Sequence, residues 1–237
     1  MIQYERKERI LERLSQRKSI SVKELAAELF ISEASIRRDI ASLEEEGLVT
    51  RLYGGVTLSS NRNGVVPVTF RDGEHSAQKE AIAKKAAALV RDGDTIMLDA
   101  SSTVRRMLRY LTDRRDLTVI TNNLRIFDEY GSSGIRLYAT GGIYRHENHA
   151  LVGAGAIETL SSLSADAVFF SSQGLSEEGE ITDASEEETA LRRVMLSRCR
   201  HRYFLCDSSK LGIRRTFTLC RVEDVDAVLS DTDLSAR

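Results

Sequence analysis

Hydrophobic residues recur at helical spacing three times within the first fifty positions. Ile10, Leu11 and Leu14 stand between charged residues in the first stretch. Ser21-Val-Lys-Glu24 has the form of a capping box, in which serine and glutamate each satisfy an orphan amide at a helix start. It opens a second helix with Val22, Leu25, Ala26 and Leu29 on one face, the spacing of a buried stripe. A turn around Phe30–Ser32 comes next, and Ser32 is placed as N-cap of a third helix from about Glu33 to Glu46.

The third helix is the informative one. At about 100° per residue, Ile36, Ile40 and Leu43 share a narrow arc that must face a core. Ala34, Arg38, Ala41 and Ser42 fall opposite, flanked by Ser35 and Arg37. Small residues let a helix lie close to DNA, and guanidinium forks match phosphates or guanine edges. Gly47 supplies a stop, and Leu48 to Leu58 reads as a short hairpin with Arg51 and Tyr53 near its turn. The ensemble describes a winged helix-turn-helix. An Arg-Arg pair is equally compatible with plain solvated surface. Residues 1–58 carry ten Lys/Arg and ten Asp/Glu, so charge does not decide between the two.

The pattern changes near the single proline, Pro67. Residues 59–75 read as a linker, dividing a DNA-binding domain over 1–58 from a second domain over 76–237. There, five apolar runs alternate with helical stretches: Thr95–Leu98, Leu117–Ile120, Ile135–Tyr138, Ala167–Phe170 and Tyr203–Cys206. A sixth, Ala227–Leu229, fits an edge strand. Such runs indicate a mostly parallel sheet covered on both faces, an α/β fold. Each run gives way to polar residues or glycine: Asp99-Ala-Ser-Ser-Thr103, Thr121-Asn122-Asn123, Gly141-Gly142, Ser171-Ser-Gln-Gly174 and Asp207-Ser-Ser-Lys210. Open α/β sheets bind ligands beyond the carboxyl ends of their strands. The convergence predicts a pocket for a hydroxylated, anionic molecule. Ser101, Ser102 and Thr103 open a helix placed at about 103–112 and form a phosphate cradle; their plain reading is a helix N-cap. Lys210 supplies a point charge, or is an ordinary turn lysine; Asp99, Asn122 and Asn123 can bond sugar hydroxyls.

Composition narrows the class. The chain has 237 residues, 41% hydrophobic and 30% charged, with net charge −2, which excludes disorder and a histone-like basic footprint. No apolar run is long enough to span a bilayer, and the N-terminus has no signal-peptide character, so a cytoplasmic protein without membrane partners is expected. Cys199, Cys206 and Cys220 form no paired framework and read as reduced thiols. His146-Glu-Asn-His149 lacks zinc-ligand spacing, Gly153-Ala-Gly155 lacks the third glycine of a dinucleotide motif, and no cofactor is expected. Ser185-Glu-Glu-Glu188 is a capping box whose acids are helix-start residues.

Ser21-Val-Lys-Glu-Leu-Ala, Ile31-Ser-Glu-Ala-Ser-Ile-Arg-Arg-Asp-Ile and Leu43 through Val56 closely resemble the N-terminal signature of the DeoR family of bacterial transcription regulators. Ser35 stands where that family usually has Thr, and Tyr53 where it has His. Asp99-Ala-Ser-Ser-Thr103, Thr121-Asn-Asn, Gly141-Gly142, Gly153, Asp207-Ser-Ser-Lys-Leu-Gly212 and Lys79 match further segments in order. Ser101 replaces a usual glycine, and Phe170-Ser-Ser-Gln replaces an apolar-Gly-small segment. The resemblance implies a sensor domain similar in fold to ribose-5-phosphate isomerase that binds phosphorylated sugars, and a repressor of sugar or polyol catabolism. DNA contacts would then fall on Ser32, Ser35, Arg37, Arg38, Arg51 and Tyr53. Effector contacts would fall on Lys79, Asp99, Ser101–Thr103, Thr121–Asn123, Gly141, Gly142, Asp207 and Lys210. Operator DNA, a sugar phosphate and further copies of the chain are the expected partners. The alternative is a sugar-phosphate isomerase or related enzyme with an appended helical domain, drawing its carboxylate base from Asp99, Asp166 or Asp183 and its acid from Lys210.

Overall fold

The computed structural model describes residues 3–17, 19–45, 48–59 and 68–233. The chain divides into two compact units, Met1–Glu74 and His75–Arg237.

The first unit runs α1 (Gln3–Gln16), α2 (Val22–Leu29), α3 (Glu33–Glu45), β1 (Val49–Leu52), β2 (Gly55–Leu58) and α4 (Val68–Gly73). The capping box at Ser21 forms with both of its bonds. Phe30 ends α2 in the left-handed conformation (φ 56°), and Ile31 N–H donates to Ala26 O at 3.0 Å, which makes the turn tight. Ile36, Ile40 and Leu43 are buried as their spacing requires, packed with Leu11, Leu25 and Val56. Each such side chain contributes about 1.5–3 kcal/mol through burial. Ile20 and Val56 exchange backbone bonds at 2.9 and 3.0 Å, fastening the β1–β2 wing to the helices.

Two expectations change here. Ser42 does not face outward: its hydroxyl accepts Lys7 Nζ of α1 at 2.7 Å. It lies about 60° from Asp39 around the helix, on the flank that meets α1 rather than on the open side. The stretch read as a linker contains α4, whose Val68 is buried and which packs on α1. A helix of six residues is too short to show its period against the Ser, Asn and Gly around it, so composition concealed it. Gly47 and residues 60–67, including Pro67, lie outside the described residues.

The second unit comprises α5 (Ser76–Ala87), β3 (Thr95–Leu98), α6 (Ser102–Arg105), β4 (Thr118–Thr121), α7 (Arg125–Tyr130), β5 (Arg136–Ala139), β6 (Ile143–Arg145), β7 (Ala150–Val152), α8 (Ala154–Ser161), β8 (Ala165–Phe170), β9 (Gly174–Leu175), β10 (Glu180–Asp183), α9 (Glu186–Ser197), β11 (Cys199–Leu205), β12 (Phe217–Arg221) and β13 (Ala227–Leu229). Its main sheet has the order β13-β11-β8-β3-β4-β5 with every neighbouring pair parallel. Alternate residues feed two separate cores. Ile96, Leu98, Val119 and Phe169 enter one, while Met97, Ile120, Val168 and Phe170 enter the other. Burial on both faces is why the central runs read as continuously apolar, whereas edge strand β5, largely exposed, carries Arg136 in its run.

Leu98 pairs with both Thr121 and Phe169, Thr121 pairs with Ala139, and Phe170 pairs with Phe204. This register brings the five strand ends level. The helix expected over 103–112 is instead one α-turn, α6, continued by a 3-10 turn over Arg106–Tyr110. Residues three apart eclipse in a 3-10 turn, which lets Arg106 and Arg109 both reach Glu80 of α5 at 3.1 Å. The antiparallel sheet β12-β10-β9 and the β6–β7 hairpin were not foreseen, because strands of two to five residues carry too few positions to show a period.

Candidate functional site

In the first unit, α3 and the wing hold the sequence-predicted DNA contacts. Ser32 Oγ accepts Ser35 N–H at 3.3 Å and donates to Ser35 Oγ at 3.1 Å, tying both serines to the start of α3. Arg37 and Arg38 are exposed side by side. Arg37 Nη2 pairs with Glu33 at 2.8 Å, whereas Arg38 lies back on Ala34 O and Ser35 Oγ at 3.4 Å. Arg51 of the wing pairs with Glu44 at 3.0 Å, and Tyr53 projects fully into solvent at the wing tip. Ser21, Lys23, Arg37, Arg51 and Gly54 line one cleft of about 460 Å³. Asp39, the last residue of the Ser-Ile-Arg-Arg-Asp run, takes no part in that surface. It is fully buried and accepts Arg6 Nε at 2.7 Å and Nη2 at 3.0 Å.

In the second unit the strand ends form a buried polar layer. Asp99 leaves β3 with one carboxylate oxygen accepting Ser101 N–H at 3.1 Å, while the other accepts Ser171 N–H at 3.2 Å and Arg192 Nε at 2.7 Å. Its acceptors are thus turned inward rather than toward a sugar. Ser101 caps α6 through Val104 N–H at 3.2 Å. Ser102 and Thr103 are buried, and Thr103 Oγ1 has no hydrogen-bond partner among the described residues.

At the end of β4, Thr121 Oγ1 accepts Asn123 N–H and Asn123 Oδ1 accepts Arg125 N–H, both at 3.1 Å. Asn122 Nδ2 donates to Leu151 O at 3.2 Å, and its Oδ1 is buried without a partner among the described residues. Lys210 Nζ donates to Ser171 Oγ at 2.6 Å and stands 3.5 Å from Asp207. Burial works against the Asp207 charge, yet Lys210, the Ser209 hydroxyl and buried Lys79 of α5 hold its pKa below the usual aspartate value.

The layer therefore joins Asp99, Ser101, Asp207 and Lys210, with the charge of Lys79 acting on Asp207. Thr121–Asn123 are fastened instead to β7 and α7. Gly141 and Gly142 stand apart. Both have positive φ (67° and 108°), and a Cβ on Gly142 would lie 2.5 Å from Val152 O, so backbone packing already accounts for that glycine.

Sequence reading missed what holds the layer together. Glu188 is a helix-start acid of α9, but it is buried. Its carboxylate accepts Arg192 Nη2 at 2.8 Å and Asn148 Nδ2 instead of completing the expected capping box, since Ser185 N–H donates to Asp183. Arg192 Nη1 meets Asp183 at 2.9 Å. Burial opposes the charge of Arg192, but Asp183, Asp99 and Glu188 outweigh it and hold its pKa above the ordinary arginine value. The available signal was the Glu188/Arg192 pair at i,i+4 beside Leu191 and Met195, which puts a salt bridge on an apolar stripe. Cys206 and Cys220 have their thiols pushed up to about 12 by burial.

Comparison with known proteins agrees with this anatomy. Residues 6–62 match the DeoR-like helix-turn-helix domain and residues 74–232 match the DeoR C terminal sensor domain. The chain belongs to the DeoR family. DeoR-family relatives align over nearly its whole length. The HTH-type transcriptional regulator GolR of Listeria innocua is 33% identical over 236 residues, 99% of this chain and 93% of the relative. The HTH-type transcriptional repressor GlcR of Bacillus subtilis is 34% identical over 232 residues, 98% and 89%. The lactose phosphotransferase system repressor of Staphylococcus epidermidis is 32% identical over 243 residues, 98% and 94%.

Among solved structures, translation initiation factor eIF-2B of Pyrococcus horikoshii OT3 aligns with TM-score 0.50 and 13% identity, covering 95% of this chain and 86% of that one. Ribose 5-phosphate isomerase A of Methanocaldococcus jannaschii aligns with TM-score 0.44 and 19% identity over 58% and 55%. At such identities the first likeness concerns fold alone. This DeoR-family chain is a DNA-binding transcription regulator with a sensor domain, not a sugar-phosphate isomerase: its full-length relatives are regulators. Asp99 and Asp183, two of the carboxylates an isomerase would draw on as base, are both engaged by Arg192.

Proposed function

We propose that this chain is a cytoplasmic, homo-oligomeric repressor of a sugar or polyol catabolic operon whose operator affinity is set by a phosphorylated sugar. We place its DNA-binding domain at 1–58 and its effector domain at 76–237. The observation that carries the effector half is the pair of buried, unpartnered acceptors, Thr103 Oγ1 and Asn122 Oδ1, at level strand ends in the unit that holds Lys79 and Lys210. Unpaired buried polar atoms are costly, so strand ends that keep Thr103 Oγ1 and Asn122 Oδ1 in this state suit a ligand supplying hydroxyl donors to them. Lys79 and Lys210 supply the counter-charge for phosphate. Ser101 caps α6 and Ser102 is its first residue, and Thr121, Asn123, Gly141 and Gly142 shape the walls.

For DNA, Arg37 and Arg38 would enter the major groove with Ser32 and Ser35, while Arg51 and Tyr53 of the wing meet backbone or minor groove. Arg37 and Arg51 must exchange Glu33 and Glu44 for phosphates or bases. Exposed ion pairs are worth about 0–1 kcal/mol, so the exchange costs little. One small head buries too little surface for tight operator recognition, which supports an oligomer. The effector acts by binding one arrangement of paired heads more tightly than another.

The test is a gel shift on DNA upstream of its own gene and of neighbouring sugar genes, repeated with phosphorylated and free sugars. Sequence-specific binding altered by one sugar phosphate and not by the free sugar is expected. Specific binding indifferent to every sugar phosphate would overturn the effector, and absence of specific binding would overturn the repressor.

A further inference from the structure

Arg192 is 3% exposed, and each of its guanidinium nitrogens is engaged by a different carboxylate: Asp99 at 2.7 Å, Asp183 at 2.9 Å and Glu188 at 2.8 Å. Those acids come from the end of β3, the end of β10 and the first turn of α9. Burying such a cluster brings little stability, since well-packed apolar residues of similar volume are often as good or better. What the cluster supplies is geometry.

Its reach covers the groups assigned to the effector. Asp99 is held by Arg192 and in turn holds the amides of Ser101 and Ser171. The first sets the path of the chain that presents Thr103. The second sets Ser171, whose hydroxyl receives Lys210 Nζ at 2.6 Å. On the other side Glu188 accepts Asn148 from the β6–β7 turn, and Arg145 of the same hairpin meets Glu187 at 2.7 Å. The hairpin's Leu151 exchanges bonds with Asn122 at 2.8 and 3.2 Å. Arg192 thus stands behind Thr103, Lys210 and Asn122, while its own guanidinium nitrogens are bonded to the three carboxylates.

We infer that Arg192 is a positioning residue of the effector site, the common anchor that sets the loop after β3, the end of β8 and the β6–β7 hairpin around the ligand. This rests on the effector-site reading under the proposed function. It goes beyond the segments on which the family resemblance was drawn, which include Asp99 and no other member of the cluster. The role needs a planar fork with fixed directions. Lysine keeps the charge but offers a single flexible ammonium, which cannot define three separate carboxylates.

The experiment uses the full chain and three probes: inorganic phosphate, a pentose monophosphate and a hexose monophosphate. Binding is monitored by calorimetry well below the melting temperature of each protein, and operator affinity is measured without probe. Arg192→Lys is expected to weaken the probes that bind wild type by about tenfold or more. Operator affinity should be unchanged, and amide exchange at Ser101 and Ser171 should be faster. A merely structural arginine would lower the melting temperature and leave the affinity of the folded protein alone.

Should Arg192→Lys fail to fold, Glu188→Gln opens one arm of the cluster at nearly constant volume and is expected to weaken the same probes several-fold. Wild-type affinity in the folded variant overturns the positioning role while leaving the effector site standing. Failure of wild type to bind any probe overturns the effector-site reading, and this inference with it.

Discussion

Arg6 and Asp39 form a two-pronged ion pair, at 2.7 and 3.0 Å, between α1 and the helix that exposes Arg37 and Arg38. The partners are unequal, because Asp39 is fully buried and the Arg6 side chain is 21% exposed. Arg6→Met strands a carboxylate in the core, whereas Asp39→Ala leaves an arginine able to reach water along its aliphatic stem. Asp39→Ala should cost about 1–3 kcal/mol, and Arg6→Met should cost more. Urea unfolding monitored by circular dichroism checks the order; equal costs would mean the pair is solvated.

The exposed arginines should separate by their present partners. Arg38 has no acid partner among the bonds described, so Arg38→Ala is expected to lose about 1–3 kcal/mol of operator binding if it reads a base. Arg51 is paired with Glu44, and Arg51→Ala should weaken all DNA alike and reduce the salt slope by about one. Fluorescence anisotropy over a salt series, with specific and scrambled duplexes, distinguishes the two. Unchanged affinity for Arg38→Ala at fixed salt would remove it from the interface.

Thr103 carries an opposition between stability and response. Its hydroxyl oxygen is buried and unpartnered, so Thr103→Val removes an unsatisfied group at nearly constant volume. The variant should gain about 1 kcal/mol in thermal unfolding while its operator complex loses sensitivity to the sugar phosphate. A more stable variant with full sensitivity would place the ligand elsewhere.

Asp207 sets part of the acid limit. Burial raises its pKa, but Lys210, Ser209 and Lys79 bring it below the usual 3.8. A carboxylate with a lowered native pKa stabilises the fold above its unfolded value, and that stabilisation is lost as pH falls through the native one. Lys210→Met removes the main opposing charge and lets burial dominate. The acid-unfolding midpoint should then move to higher pH, read by circular dichroism from pH 6 downward. A midpoint that stays put would mean Lys210 does not govern Asp207.

Local order alone carried most of the fold. Ile36, Ile40 and Leu43 show which side of α3 is buried because helical spacing survives any tertiary context, and Ser21 with Glu24 forms its cap wherever the helix begins. The parallel strands were legible because burial on both faces leaves an unbroken apolar run, as at Thr95–Leu98. The polar residues just after those runs marked the strand ends as the candidate site for the same reason: chain order places them there.

What tertiary structure decided is the use of each polar residue. Asp99 and Lys210 both looked available for ligand, yet Asp99 faces Arg192, 93 positions away in sequence. Glu188 read as a plain helix-start acid and Ser42 as an outward-facing residue, yet each is bonded to a distant segment. A carboxylate or hydroxyl has the same local signature whether it meets water, a ligand or a buried guanidinium. Only long-range packing chooses among these, because the choice depends on which charges exclude water together.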